Sequence, residues 1–107
     1  MYHNRGVAYS NAKRYQEAIT EFELGLKFLP SYSQLYNDRA VAYLETGRHQ
    51  QALNDYNMAI WLDPSYYNPY LGRALVHEAL GNPAAARLDY ARSCSLGVTE
   101  VCHLGTK

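Results

Sequence analysis

The sequence has no excess charge of either sign: ten Lys and Arg stand against ten Asp and Glu across 107 residues, and the formal net charge is zero. A nucleic acid or anionic membrane recruited by a basic field is therefore not expected. Long hydrophobic runs are missing as well. No stretch approaches the roughly 20 apolar residues of a membrane span, so membrane insertion is not expected. Met1 to Ser10 have neither the basic start nor the apolar stretch of a secretory signal. Cysteine is scarce: Cys94 and Cys102 are the only two, which excludes a disulfide-dense scaffold and a four-thiolate zinc site. Two phenylalanines and one tryptophan are few beside eleven tyrosines. A buried tyrosine must still bring its hydroxyl to water or a partner, which suits rings at the edge of a thin core.

Patterns that carry chemistry are also lacking. His3, His49, His77 and His103 are scattered, with no HExxH, CxxC or two-His-and-carboxylate spacing. There is no glycine-rich phosphate loop and no GxSxG elbow. No enzyme, cofactor or metal site is expected. The length suits a single domain that buries its own core.

What the sequence does contain is a 34-residue repeat. At that spacing lie Tyr2, Tyr36 and Tyr70; Arg5, Arg39 and Arg73; Gly6, Ala40 and Ala74; Val7, Val41 and Leu75. Further along each unit come Tyr9, Tyr43 and His77; Ala18, Ala52 and Ala86; Phe22, Tyr56 and Tyr90; Gly25, Ala59 and Ser93. Self-similarity of this period marks a stack of supersecondary units that cannot bury their apolar faces alone. Small residues recur beside large ones, which is what two helices need for close approach. His77 is read as replacing a core tyrosine, and His49 as lying on a solvated turn.

Within a unit the apolar spacing is helical, as in Tyr36, Ala40, Tyr43 and then Ala52, Tyr56, Ala59, Ile60. Gly47 and Gly81 suit the left-handed residue that ends a first helix, whereas the first unit has Ala12-Lys13-Arg14 there. Leu29-Pro30 and Asp63-Pro64 stop second helices, and Asn82-Pro83 starts one with a capping side chain. The pattern predicts helices over 2–12, 15–28, 33–46, 48–62, 67–80 and 83–95, with a short capping segment over 98–104.

The series Tyr36, Ala40, Tyr43, Ala52, Tyr56, Ala59, Pro64, repeated in register from Tyr2 to Gly97, resembles the tetratricopeptide repeat family. The resemblance implies an all-α fold, a right-handed superhelical solenoid of three antiparallel helix hairpins plus a short C-terminal capping segment. It implies a single domain over 1–107, with repeats at 1–32, 33–66 and 67–97 and a cap at 98–107. First helices would line a concave groove, and second helices the convex side. The chain departs from the family in Arg5, Arg39 and Arg73, where leucine is usual, in His77, and in lacking a proline after Leu96.

Glu21, Asp55 and Asp89 recur at the same period as the three arginines. A ladder of structural ion pairs between first and second helices is expected, because an unpaired buried charge is costly. The alternative, arginines that bind an anionic ligand, is disfavoured by how faithfully the acids repeat.

Carried over residue by residue, the family geometry implies a groove of His3, Val7, Ser10 and Asn11 from the first unit. Gln34, Asn37, Val41, Leu44 and Glu45 follow from the second, and Asn68, Leu71, Leu75 and Glu78 from the third. Leu71 and Leu75 either face the groove or pack between first helices. The function expected is a non-catalytic scaffold that binds a peptide or partner helix. The alternative is self-association through uncapped terminal helices, giving a homo-oligomer. One branch of the family clamps the acidic C-terminus of chaperones with Lys, Asn and Arg; the corresponding residues here are His3, Val7, Asp38, Asn68 and Gly72. That ligand is therefore not expected.

Cys94 and Cys102, with seven residues between them, resemble the cysteine-rich helical-hairpin repeats related to this family, in which such a pair bridges adjacent helices. The sequence favours two reduced thiols, because nothing else signals export. A cytoplasmic setting goes with that reading, and a periplasmic or secreted one with a bridge. The abrupt start at Tyr2 suggests a piece of a longer array.

Overall fold

The computed structural model describes residues 2–105, with side chains from residue 4 onward. The helices are α1 (Tyr2–Asn11), α2 (Tyr15–Phe28), α3 (Ser33–Glu45), α4 (His49–Leu62), α5 (Asn68–Ala79) and α6 (Pro83–Ser95). A 3-10 turn (Thr99–Val101) and α7 (Cys102–Gly105) follow. The helices α2 and α4 stop before Leu29-Pro30 and Asp63-Pro64, as proline demands. At Asn82 the structure differs from the sequence reading: its side chain makes no capping hydrogen bond. The start of α6 rests instead on Pro83, whose fixed φ suits a first helical turn.

Each hairpin turn closes with the same backbone bond. Arg14 N–H donates to Tyr9 O (2.8 Å), Arg48 N–H to Tyr43 O (2.8 Å) and Asn82 N–H to His77 O (2.7 Å). The bond requires a left-handed residue just before the donor. Gly47 (φ 77°) and Gly81 (φ 79°) supply it, but in the first turn Lys13 is held at φ 61°. A side chain strained in this region costs about 1 kcal/mol, partly offset by the greater freedom glycine has when unfolded. Lys13→Gly is therefore expected to raise the stability by about 0.5 to 1 kcal/mol, measured as a higher urea midpoint. A lower midpoint would show that the turn is not strained.

Helices pack in sequence, each on the next, through three apolar clusters. Ala18, Phe22, Leu26 and Leu35 form the first; Ile19, Ala40, Tyr43, Ala52, Tyr56 and Val76 lie in the second; Ala74, Ala86 and Tyr90 form the third. The small residues sit under the rings. At Gly6 there is no room for a Cβ beside Phe22, so the absent side chain is what lets the ring pack this close to α1. First helices touch one another as well, α1 with α3 and α3 with α5, whereas among the described residues α2 and α4 or α4 and α6 do not meet. The stack therefore curves toward the first helices. Its extents are 39 × 25 × 20 Å.

The C-terminal segment folds back on α6. Gly105 lies against it so closely that a Cβ would come within 2.7 Å of Ala91 Cα. This approach brings the Cα atoms of Cys94 and Cys102 to 4.8 Å, and the two sulfurs are bonded at 2.02 Å. The preference for reduced thiols is thus corrected: the return of the chain along α6 places the two residues on facing turns, a proximity that composition does not reveal. Closing a loop this short stabilises by about 2 to 3 kcal/mol.

Candidate functional site

The concave side holds two hollows that share Val41. The larger, about 310 Å³, is lined by Asn37, Val41, Leu44 and Glu45 of α3, Asn68, Leu71, Gly72 and Leu75 of α5, and Tyr56 of α4. The smaller, about 140 Å³, is lined by Val7, Ser10 and Asn11 of α1, Phe22 of α2, and Asp38 and Val41 of α3. On α3 the contributors fall at helical spacing, Asn37 and Asp38, then Val41, then Leu44 and Glu45, so one face of a single helix serves both hollows. Leu71 is half-buried against the third core cluster and also lines the larger hollow, whereas Leu75 is 51% exposed.

Most of the described residues assigned to the groove from sequence lie together here, and two do not. Gln34 accepts a hydrogen bond from Tyr32 Oη (2.9 Å) and lines a separate hollow with Tyr32, Ser33, Asp63 and Tyr66. Glu78 is engaged by the hydroxyl of Tyr90. The side chain of His3 lies outside the described residues.

Phe22 and Tyr56, which sequence reasoning placed only in the core, also form the floor. Tyr56 reaches the groove because residue 72 is glycine: a Cβ there would overlap its ring. The clue in the sequence was a large ring recurring opposite small residues. Burial raises the pKa of the Tyr56 hydroxyl, and the negative charges of Asp38 and Glu45 raise it further, so it stays a protonated donor. Opposite it, Asn37 is only 6% exposed. Its Nδ2 donates to Asp38 Oδ1 (3.5 Å), while its buried Oδ1 has no hydrogen-bond partner.

The arginines are spoken for. Arg39 donates from Nε and Nη2 to the two oxygens of Asp55 (2.7 and 2.8 Å), and Arg73 does the same to Asp89 (2.9 and 2.7 Å). Arg5 makes one bond to Glu21 (2.7 Å) and its side chain is 57% exposed. Arg39 also lies over the rings of Tyr36 and Tyr43, 5.8 and 5.7 Å from their centroids. His49 opens α4 and is half-buried, not on the solvated turn that the sequence suggested. His77 Nε2 is 3.8 Å from Asp89. Among the described residues no group of three His, Cys, Asp or Glu is placed to hold a metal, and no helix is long and apolar enough to cross a membrane.

Two tetratricopeptide repeat models match the sequence, one over residues 1–31 and one over residues 33–66, together more than half of the chain. The chain belongs to the tetratricopeptide repeat family. No curated protein matches it. Among solved structures, this tetratricopeptide domain is similar to the first such domain of Spaghetti (RPAP3), solved bound to the HSP90 peptide SRMEEVD. The two share 28% identity and a TM-score of 0.88, over 96% of this chain and 86% of that one. It is similar too to the second domain of human RPAP3, solved with the HSP70 peptide SGPTIEEVD, at 27% identity and a TM-score of 0.86, over 99% and 93% of the two chains. The domain of Arabidopsis OM64, 24% identical with a TM-score of 0.92 over 97% and 87%, shares the fold. The architecture is the all-helical tetratricopeptide solenoid of stacked antiparallel hairpins.

Proposed function

We propose that this tetratricopeptide domain is a non-catalytic docking module that holds an extended peptide or partner helix against the concave faces of α1, α3 and α5. The observation that carries the reading is the pair of joined hollows, with Val41, Leu71 and Leu75 along an apolar floor and Asn37 and Asn68 at the side. Apolar side chains of a ligand would bury on the floor, and its backbone would exchange hydrogen bonds with the amides. Relatives solved with chaperone peptides support peptide docking as the general role. The acidic chaperone tail itself is not proposed, because Asp38, Asn68 and Gly72 supply no cation where that clamp needs one. The Cys94–Cys102 bridge supports the periplasmic or secreted setting over the cytoplasmic one.

A library of random, C-terminally amidated nonapeptides on beads tests the docking role. The wild-type domain is expected to retain a subset of the beads, and the double variant Asn37→Ala, Leu71→Ala to lose about tenfold of that binding, the loss of one apolar anchor and one hydrogen bond. Equal retention by both would refute docking on the concave face.

A second reading draws on α6. Ala84, Leu88 and Ala91 form an exposed apolar row there, where the equivalent residues of α4 are Gln50, Asn54 and Asn57. An exposed apolar row of this kind favours stacking with a second copy. Light scattering across a concentration series separates the readings: a strict monomer dismisses self-association, and a dimer abolished by Leu88→Glu supports it.

A further inference from the structure

Two groups in the wall of the larger hollow are set for hydrogen bonds of opposite sense. Asn37 is more than nine-tenths buried there, and its Oδ1 is an acceptor with no partner among the described residues. A buried acceptor of this kind is costly until a donor reaches it. Tyr56 of α4 brings its ring tip to Gly72 in the same hollow, and burial keeps its hydroxyl protonated, a donor. Tyr56 is 1% exposed, so both groups lie below the rim, and a ligand side chain has to enter to meet them. The sense of the two groups narrows its chemistry. Lys and Arg only donate and would leave the Tyr56 hydrogen unmatched, whereas a carboxylate only accepts and would leave Asn37 Oδ1 unmatched. A side-chain carboxamide carries a donor and an acceptor on separate atoms and can meet both. The lining around them, Val41, Leu44, Leu71 and Leu75, is apolar and covers a methylene stem, while Glu45 of this hollow is exposed to water. Glutamine, with one methylene more than asparagine, buries more on that lining.

Resting on the docking role proposed above, we infer that the larger hollow is a specificity pocket for a glutamine of the bound peptide, whose amide N–H donates to Asn37 Oδ1 and whose carbonyl accepts from the Tyr56 hydroxyl. A ring of the core thereby also reads the ligand.

The amidated nonapeptide library reads this preference directly. Peptides retained by the wild-type domain are expected to share a glutamine. Replacing that glutamine by methionine, similar in shape but without the amide, is expected to weaken binding about tenfold, two hydrogen bonds being lost; this readout needs no variant of the domain. Tyr56→Phe keeps the ring and is expected to weaken the glutamine peptide by about threefold to tenfold while leaving the methionine peptide unchanged, the coupling that marks a direct contact. Asn37→Leu, which removes the acceptor, should show the same coupling. Retained peptides without a shared glutamine, or a glutamine whose loss costs as much in Tyr56→Phe and Asn37→Leu as in the wild type, would overturn the pocket. If those peptides were still lost by Asn37→Ala, Leu71→Ala, the docking role would survive that result. Failure of the wild-type domain to retain any peptide would remove both.

Discussion

Tyr56→Ala is expected to cost about 3 to 5 kcal/mol of folding stability, while Tyr56→Phe costs about 1 kcal/mol or less. The ring is 1% exposed and is the largest fully buried side chain of the domain. It lies in the central cluster with Ala40, Tyr43, Ala52 and Val76, and its tip presses on Gly72 of the following hairpin. Truncation would leave a void where α3, α4 and α5 meet, and the close-packed small residues around it cannot collapse to fill it. A domain of this size is stable by about 5 to 15 kcal/mol, so the loss is a large share of the total. Urea denaturation checks it. A fall of under about 1 kcal/mol for Tyr56→Ala would mean that the hairpins are not held together by this ring.

The second large effect lies in the ion pair of the central hairpin. Arg39→Met is expected to destabilise the domain by about 2 to 3 kcal/mol at neutral pH, because it leaves Asp55 charged and buried. The side chains of Arg39 and Asp55 are 20% and 8% exposed. Burial raises the Asp55 carboxyl above its ordinary pKa, and Arg39 pulls it back down; the bond to Asp55 in turn raises the Arg39 pKa. Without Arg39 the Asp55 pKa rises further. A folded-state pKa above the unfolded value means that the native state binds the proton more tightly, so stability recovers as the pH falls. The deficit of Arg39→Met should therefore shrink between roughly pH 7 and pH 5. The double replacement Arg39→Met, Asp55→Leu should be close to neutral, since removing both charges also removes the cost of burying them. A pH-independent deficit would show that the loss comes from packing on Tyr36 and Tyr43 instead.

Local elements were legible because their signals are chemical and close in sequence. Proline after Leu29 and Asp63 fixed two helix ends, and Gly47 and Gly81 fixed two turns. The first turn, without glycine, still adopts the same geometry at Lys13, since the bond from Arg14 to Tyr9 outweighs the strain. Most groove residues followed from the family resemblance, carried over residue by residue onto the first helices. What was not legible depended on how elements cross. Gln34 and Glu78 were carried over in the same way but are turned to Tyr32 and Tyr90, and a resemblance of pattern does not report such partners. Tyr56 in the floor needed the overlap at Gly72, a contact between adjacent hairpins. The facing turns that join Cys94 to Cys102 needed the path of the chain after Leu96, which no repeat governs.

The central claim is that the concave face is the working surface. Titrating the ¹⁵N-labelled domain with a library-selected peptide and following its amide resonances tests it most directly. The account predicts that the largest shifts fall on Val7 to Asn11, Asn37 to Glu45 and Asn68 to Leu75. Shifts concentrated on the exposed faces of α2, α4 and α6, with those three segments unmoved, would contradict it.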